Sequence, residues 1–174
     1  MAGKSKAVVA VVFASENDLA VMSEAIQALQ ELGIAHEVEV TSAHRSPRRT
    51  HDYVHAAEKR GVKVFIVGAG AAAHLAGVIA SLTTLPVIGV PLANTALGGA
   101  DALYATVQMP AGVPVATMAL DKAGARNAAI FAGEILALYD PALAKRIRQF
   151  KEKLEQSVAE RAERVKQQLA KGKS

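Results

Sequence analysis

The chain has 174 residues, of which 51% are hydrophobic and 4% aromatic, and its formal net charge is +4. This length fits one domain with a sizeable core, and the abundance of alanine, valine and leucine favours tightly packed layers of helix and sheet. The absence of cysteine excludes disulfide bonds, thiolate metal ligands and a cysteine nucleophile, and it fits a cytoplasmic protein.

Apolar β-type segments alternate with amphipathic helical ones through residues 1–140. Four of the β-type segments are almost continuously apolar, which is typical of parallel strands buried on both faces, whereas His36–Val40 alternates and is expected at an edge. In chain order the predicted elements are strand Ala7–Phe13, helix Asp18–Leu32, strand His36–Val40, helix Ser46–Arg60, strand Val62–Val67, helix Ala72–Leu82, strand Pro86–Val90, strand Val113–Ala119 and helix Lys122–Leu138.

This order predicts an α/β fold, with a doubly wound parallel sheet and helices on both faces. Ligands of such folds bind beyond the carboxyl ends of the strands, where the strand order reverses. Three loops are therefore of interest, at residues 14–18, 41–47 and 68–74. A flavodoxin-like strand order would bring them into one crevice. The side chains expected to converge there are Ser15, Asp18, His44, Arg45 and His74.

The first loop carries groups suited to an anion and a sugar. Ser15 and Asn17 precede a helix, whose free N–H groups attract anions, although Asn17 or Asp18 could equally be an ordinary helix cap. The Asp18 carboxylate could also accept hydrogen bonds from a diol such as ribose.

The second loop, TSAHRSP, places an imidazole beside a guanidinium at Thr41–Pro47. The planar fork of Arg45 suits a phosphate, and it lies beside Ser42 and the start of the next helix. His44 is the candidate acid–base group, because an imidazole can give and take protons near neutral pH. A structural histidine and a surface arginine that caps a carbonyl are the alternatives.

The third loop, GAGAAA, matches the pattern of a dinucleotide-binding turn, but it follows the third strand rather than the first, and no acidic residue ends the next strand. We interpret it as a turn of small residues that lets a ligand approach the backbone closely. His74 would line the same pocket or cap the helix that follows. His51 and His55 lack further metal ligands in the sequence and predict a helix face, so we expect no metal site.

The tail, residues 141–174, predicts one long amphipathic helix capped by Asp140. Such a helix overruns a domain of this size, so we expect it to pack on neighbouring subunits; a frayed tail is the alternative. The tail holds ten Lys or Arg and four Asp or Glu, but one phenylalanine and no other aromatic residue, so we expect no nucleic-acid binding. No signal peptide and no membrane span are expected, because the sequence has no apolar run of about 18 residues.

Several motifs together resemble the N5-carboxyaminoimidazole ribonucleotide mutase family, the class I PurE proteins of bacterial purine synthesis. They are SAHRSP, GAGAAAHLAG, the segment DALY leading to VQMP, and GVPVATMALDKAGARNAA. The resemblance, from about residue 7 to residue 138, implies a flavodoxin-like three-layer α/β/α sandwich and a homo-octamer with sites at subunit contacts. It implies transfer of a carboxyl group from N5 to C4 of an aminoimidazole ribonucleotide without a metal or organic cofactor.

The same resemblance assigns roles to residues. His44 would handle the proton at C4, and Asp18 would hold the ribose. Arg45 would hold the 5′-phosphate together with Ser15, Asn17 and Ser42. The residues that would shape the pocket in which CO2 is retained are Gly70, Ala71 and His74.

The sequence departs from the family pattern in two loops. Ala14 and Asn17 replace a glycine and a serine of the first loop, and Ala71 and Ala76 replace a glycine and a proline of the third. The methyl group of Ala71 could intrude on the pocket or forbid a positive φ. A direct carboxylase that uses CO2, and a silent ribonucleotide-binding paralogue, therefore remain as alternatives.

Overall fold

The structure, a computed structural model, describes residues 6–171 and contains one parallel sheet. The strand order is β2-β1-β3-β4-β5, which is the flavodoxin-like order, and the alternating strand lies at an edge as predicted. The strands are β1 Val9–Phe13, β2 His36–Val40, β3 Val64–Gly70, β4 Val87–Leu92 and β5 Ala116–Thr117.

The last strand is shorter than predicted. Two residues, Ala116 and Thr117, pair with Ile88 and Gly89 of β4, whereas Val113–Ala119 was expected to be extended throughout. Pro114 has no N–H to donate to a ladder, and the Val113 N–H bonds back to the carbonyl of Pro110 in a turn. Proline and turn geometry thus shorten a segment that is apolar enough for a full strand.

Helices cover both faces of the sheet, which gives the three layers. Val9, Val11 and Phe13 of β1 pack with α1 and α5 on one face, and Ala10 and Val12 pack with α2 and α3 on the other. The helices are α1 Leu19–Glu31, α2 Pro47–Arg60, α3 Leu75–Leu82, α4 Ala100–Val107, α5 Asp121–Ala137 and α6 Pro141–Lys171. A short 3₁₀ turn, Glu16–Asp18, precedes α1.

Two helical regions differ from prediction. Helix α4 was not predicted, because its two turns carry a narrow buried face, Ala102 and Thr106, and no side-chain cap. Helix α3 begins at Leu75 rather than at residue 72, because Ala71 has a φ of +54° and the next residues form a tight turn.

The C-terminal helix is one continuous element of 31 residues, about 46 Å long at 1.5 Å per residue. Asp140 caps it as predicted, since its carboxylate accepts the N–H of Leu143 at 3.0 Å. Leu143 and Ile147 are buried against the domain and Phe150 is partly buried there, whereas the large apolar residues from Leu154 onward are exposed. Residues 172–174 of the predicted tail lie outside the described residues. Within residues 6–171, no helix is long and apolar enough to cross a bilayer.

Candidate active site

The three loops chosen from the sequence lie at one edge of the sheet, beyond the carboxyl ends of β1, β2 and β3. The second and third loops enclose a cavity of about 270 Å³, which we call the histidine cavity. Of the predicted site residues, it is lined by Ser42, His44, Arg45, Gly70 and Ala71; the rest of its lining is Ala14, Ala43, Ala69, Ala72 and Leu75. Small apolar groups thus make up most of the cavity wall around His44 and Arg45.

The first loop faces a second hollow, which we call the aspartate cavity. Asn17 and Asp18 line this space of about 450 Å³ together with residues that follow β4 and β5. The two cavities adjoin, because Gly70 of the histidine cavity is covered by the side chain of Asn94, which lines the aspartate cavity. The single crevice expected from the sequence is therefore divided by a partition.

His44 and His74 form a pair across the second and third loops. The Nε2 of His44 lies 2.8 Å from the Nδ1 of His74, and the rings meet edge to face with centroids 4.9 Å apart. His74 occupies the N-cap position of α3 without a side-chain cap bond, so it is not a side-chain cap. It lines a separate hollow with Tyr104 and Met109 rather than the histidine cavity, which it meets through its contact with His44. The tautomer of each ring decides which nitrogen donates.

Hydroxyl groups hold the backbone of the second loop. The Ser46 hydroxyl accepts the N–H of Ser42 at 3.0 Å, and the Ser42 hydroxyl accepts the N–H of Arg45 at 3.2 Å. Ser46 sits at the N-cap of α2, as predicted, but its hydroxyl makes no cap bond to the helix. It binds the backbone of Ser42 within the loop instead, and this contact fixes the directions of the side chains of His44 and Arg45.

The Arg45 guanidinium makes no hydrogen bond or ion pair with another described residue. The nearby Arg49, by contrast, pairs with Glu39 of β2. Arg45 is exposed and lines the histidine cavity next to the first turn of α2, where backbone N–H groups are free. A cation beside a helix N-terminus suits an anionic group of a ligand.

The first loop holds a buried carboxylate. Ser15 caps the 3₁₀ turn by accepting the N–H of Asn17 at 3.3 Å, so neither Asn17 nor Asp18 is the side-chain cap there. Asp18 is 4% exposed, and burial raises its pKa above the ordinary 3.8, against smaller lowering effects from backbone hydrogen bonds at Ser15 and Ala14 and from Asn94. Burial deprives the ionised carboxylate of Asp18 of hydrogen bonds from water, and the hydroxyl groups of a ligand could supply such hydrogen bonds instead.

Asp18→Asn should therefore stabilise the protein at neutral pH. The pKa of Asp18 is higher in the folded than in the unfolded state, so its carboxyl group adds to the free energy of unfolding at a pH below the unfolded-state pKa. This contribution is lost as the pH rises through the folded-state pKa. We expect the substitution to raise the Tm at pH 8 by a few degrees, about 2–4 °C for each 1 kcal/mol in a chain of this size, and to give less benefit near pH 4. Calorimetry at both pH values checks this. The exposed Asp52→Asn is the matched control, and a lower Tm for Asp18→Asn at pH 8 would contradict the conclusion that burial of the ionised Asp18 is unfavourable.

The third loop corrects the expectation for Ala71 and adds an observation on Gly70. Ala71 adopts a φ of +54°, so its methyl group does not forbid the left-handed conformation, which costs a non-glycine residue about 1–2 kcal/mol. Gly70 lines the histidine cavity, but the position that a Cβ would take there is filled by Asn94, whose Oδ1 would lie 2.0 Å from it. On that side, the space beside the glycine holds another side chain of the protein.

Asn94 is the functional candidate that the sequence reasoning missed. It follows the buried strand β4, at the same edge of the sheet as the other loops, and its Nδ2 lies 3.5 Å from the Oδ1 of Asp18. The rule that selected the first three loops applies equally to a polar residue after β4, and that was the available signal. His51 and His55 lie 3.2 Å apart, Nε2 to Nε2, on the exposed face of α2; residues 6–171 contain no group of three or more potential metal ligands.

Comparisons with known proteins agree on one family. Residues 8–157, which include every candidate site residue, match the family described as AIR carboxylase. N5-carboxyaminoimidazole ribonucleotide mutase of Thermotoga maritima is 46% identical over 91% of this chain and 92% of its own. The protein of the same name from Haemophilus influenzae is 50% identical over 83% and 88%. The crystal structure of Treponema denticola PurE superposes with a TM-score of 0.80, at 25% identity, over 87% of this chain and 94% of that one.

Proposed function

The chain belongs to the AIR carboxylase family, and we propose that it is an isomerase that converts N5-carboxyaminoimidazole ribonucleotide to 4-carboxy-5-aminoimidazole ribonucleotide in purine biosynthesis. The observation that carries this function is that His44 and Arg45 line one small cavity, where His44 is hydrogen-bonded to His74 and the Arg45 guanidinium has no partner among the described residues. Together these groups supply a proton carrier, a phosphate ligand and a space walled by alanines.

The substrate would span both cavities. Arg45 and the N-terminus of α2 would bind the 5′-phosphate, helped by the Ser15 and Ser42 hydroxyls and by Asn17. Asp18 would accept hydrogen bonds from the ribose hydroxyls, which would give its buried carboxylate the partners that water cannot supply. In this arrangement the imidazole ring lies next to His44.

The reaction would then proceed without an external reactant. The bond between N5 and its carboxyl group breaks, CO2 departs, and the electron pair stays with the nitrogen–ring system. C4 attacks the retained CO2 to form a carbon–carbon bond. His44 takes the proton from C4, which restores the aromatic ring, and one proton is returned to the exocyclic nitrogen, so that atoms and charges balance. Because the carboxyl group arrives with the substrate, the chemistry needs no metal or organic cofactor.

The walls of the histidine cavity suit the retention of CO2. Ala43, Ala69, Ala72 and Leu75 offer apolar surface at the place where the gas would be released. A CO2 molecule held there keeps a high effective concentration near C4 and is shielded from water. Gly70, Ala71 and His74 would close this side of the pocket.

His74 would act on the reaction through His44. Its Nδ1 is hydrogen-bonded to the Nε2 of His44. Among the described residues, His44 makes no other side-chain hydrogen bond. The Nδ1 of His44 would therefore face the substrate, and the tautomer of His74 would decide whether this nitrogen accepts or donates the proton.

Parallel assays test the function. Purified protein is mixed either with N5-carboxyaminoimidazole ribonucleotide or with aminoimidazole ribonucleotide and bicarbonate, and the 4-carboxy product is followed by absorbance. We expect fast conversion of the first substrate alone. Efficient conversion of the second at low bicarbonate would assign the direct carboxylase instead, and no conversion of either by folded protein would leave a silent ribonucleotide-binding protein.

We further propose that the chain works as a cytoplasmic homo-octamer, with residues 1–140 as the catalytic domain and residues 141–174 as a helix that packs on neighbouring subunits. The support lies in α6, where Leu154, Val158, Val165 and Leu169 are each more than half exposed. These four residues, which we call the distal stripe, continue the line of Leu143 and Ile147 at intervals of 11 residues, so one helix face carries the buried and the exposed series. An apolar line that long is typical of a helix with a partner.

A further inference from the structure

Asn94 occupies a position that links the two halves of the proposed site. Its side chain lies against the Cα of Gly70, at the end of β3, and its Nδ2 points to the Oδ1 of Asp18, at the start of α1. It comes from the loop after β4, which neighbours β3 in the sheet. One amide thus contacts both the wall of the histidine cavity and the buried carboxylate of the aspartate cavity.

The absence of a side chain at Gly70 makes room for the amide of Asn94. A Cβ at position 70 would lie 2.0 Å from Oδ1, 2.3 Å from Nδ2 and 2.4 Å from Cγ of Asn94. The φ of Gly70 is not positive, so its backbone does not require glycine. Asn94 is exposed and its amide is the free end of a side chain, so an alanine at position 70 would displace the amide rather than unfold the sheet.

Asp18 has few other partners. It is almost completely buried, and Asn94 is the side chain that hydrogen-bonds its carboxylate in the described part of the chain. The charged side chains that share its cavity are Asp121 and Lys122 at the start of α5, and the Oδ1 of Asp121 is engaged by the N–H of Ala93 at 2.8 Å. Backbone hydrogen bonds at Ser15 and Ala14 hold the Asp18 carboxylate from its own loop, and Asn94 is the side chain that connects it to the loop after β4.

We infer that Asn94 is a positioning residue: seated on Gly70, it orients Asp18 toward the ribose hydroxyls of the substrate and so governs the affinity for the ribonucleotide. This inference rests on the proposed function. The contribution is to binding rather than to chemistry, because Asn94 is separated from His44 by the Gly70 wall. Gly70 and Asn94 act as a unit, since the glycine provides the seat and the asparagine provides the hydrogen bond.

The unit has a distinctive signature in a double-mutant cycle. Asn94→Ala should raise the KM for N5-carboxyaminoimidazole ribonucleotide and the Kd for the 4-carboxy product by about three- to tenfold, as expected for one lost hydrogen bond, with kcat within about twofold. Gly70→Ala should raise the KM and the Kd to the same extent, because it displaces the amide, and the Kd of the double variant should be no higher than that of either single one.

Asn94→Asp separates the hydrogen bond from space filling. It keeps the shape of the side chain but replaces the donor with a second carboxylate beside Asp18, so it should bind the product more weakly than Asn94→Ala. Wild-type affinity in Asn94→Asp would reduce Asn94 to a space-filling residue and overturn the inference.

Kinetics and titration calorimetry on the full chain distinguish failure of the inference on Asn94 from failure of the proposed function. Wild-type protein that turns over and binds, with Asn94→Ala indistinguishable from it, contradicts the inference alone. Additive losses in Gly70→Ala and Asn94→Ala also contradict it, since they would mean that the ligand itself approaches Gly70. Wild-type protein that neither binds nor converts a ribonucleotide contradicts the proposed function and the inference together.

Discussion

His44→Asn should lower kcat for N5-carboxyaminoimidazole ribonucleotide by about 100- to 10,000-fold, the range that general acid–base catalysis contributes. The asparagine amide can still contact His74 across the loop, but it cannot carry a proton away from C4. The phosphate and ribose ligands are untouched, so we expect the Kd for the 4-carboxy product to stay within about threefold. Initial rates and titration calorimetry measure both quantities.

The matched control is His51→Asn, which makes the same substitution in an exposed histidine of α2 away from the two cavities. Its kcat and Kd should equal those of the wild type. A His44→Asn variant with near-normal kcat would remove His44 from the chemistry. A variant that loses binding but keeps its rate would make His44 a ligand-binding residue instead.

Replacing the distal stripe, Leu154, Val158, Val165 and Leu169, by serine should dissociate the proposed homo-octamer. Each buried apolar side chain contributes about 1.5–3 kcal/mol, so each replacement should weaken association about tenfold or more. The chain should still fold, because Leu143 and Ile147 keep α6 anchored to the domain. Size-exclusion chromatography with light scattering measures the mass, and calorimetry checks the fold.

The control places serine at Glu152, Gln156 and Glu163, on the side of α6 opposite the distal stripe. This variant should keep the wild-type mass, which we expect to be that of eight chains. An unchanged mass after replacement of the distal stripe would show that this face packs on no neighbour, and equal dissociation by the control would show that the effect is not specific to the apolar line.

The predictions that held rest on patterns that burial imposes directly. Apolar runs predicted the central strands, because a strand that is apolar on both faces must be covered on both. The alternation of His36–Val40 predicted an edge strand, because only one of its faces needs to be covered. The strand order then followed the flavodoxin-like arrangement, which put the three selected loops at one edge of the sheet. His44, Arg45 and Gly70 could be brought together on that basis.

The features that sequence reasoning missed depend on contacts between distant residues. Helix α4 buries two side chains and has no side-chain cap, so its own residues give little helical signal. Asn94 and Gly70 are 24 positions apart, and only the folded structure shows that the glycine seats the amide. For Ala71, the sequence suggested that a methyl group could forbid a positive φ, and this was wrong. The left-handed conformation has a modest energetic cost, which the surrounding turn can impose on a non-glycine residue.

In the proposed reaction, the carboxyl group leaves N5 and is recaptured by C4 without escaping from the pocket. To test it, wild-type protein receives N5-carboxyaminoimidazole ribonucleotide with an isotopic label in the carboxyl carbon, in buffer with excess unlabelled bicarbonate. Mass spectrometry then measures the label in the 4-carboxy product formed at early times. We predict that the product retains nearly all of the label. A product whose carboxyl carbon comes from the bicarbonate pool would contradict retention of CO2 and would identify the protein as a direct carboxylase.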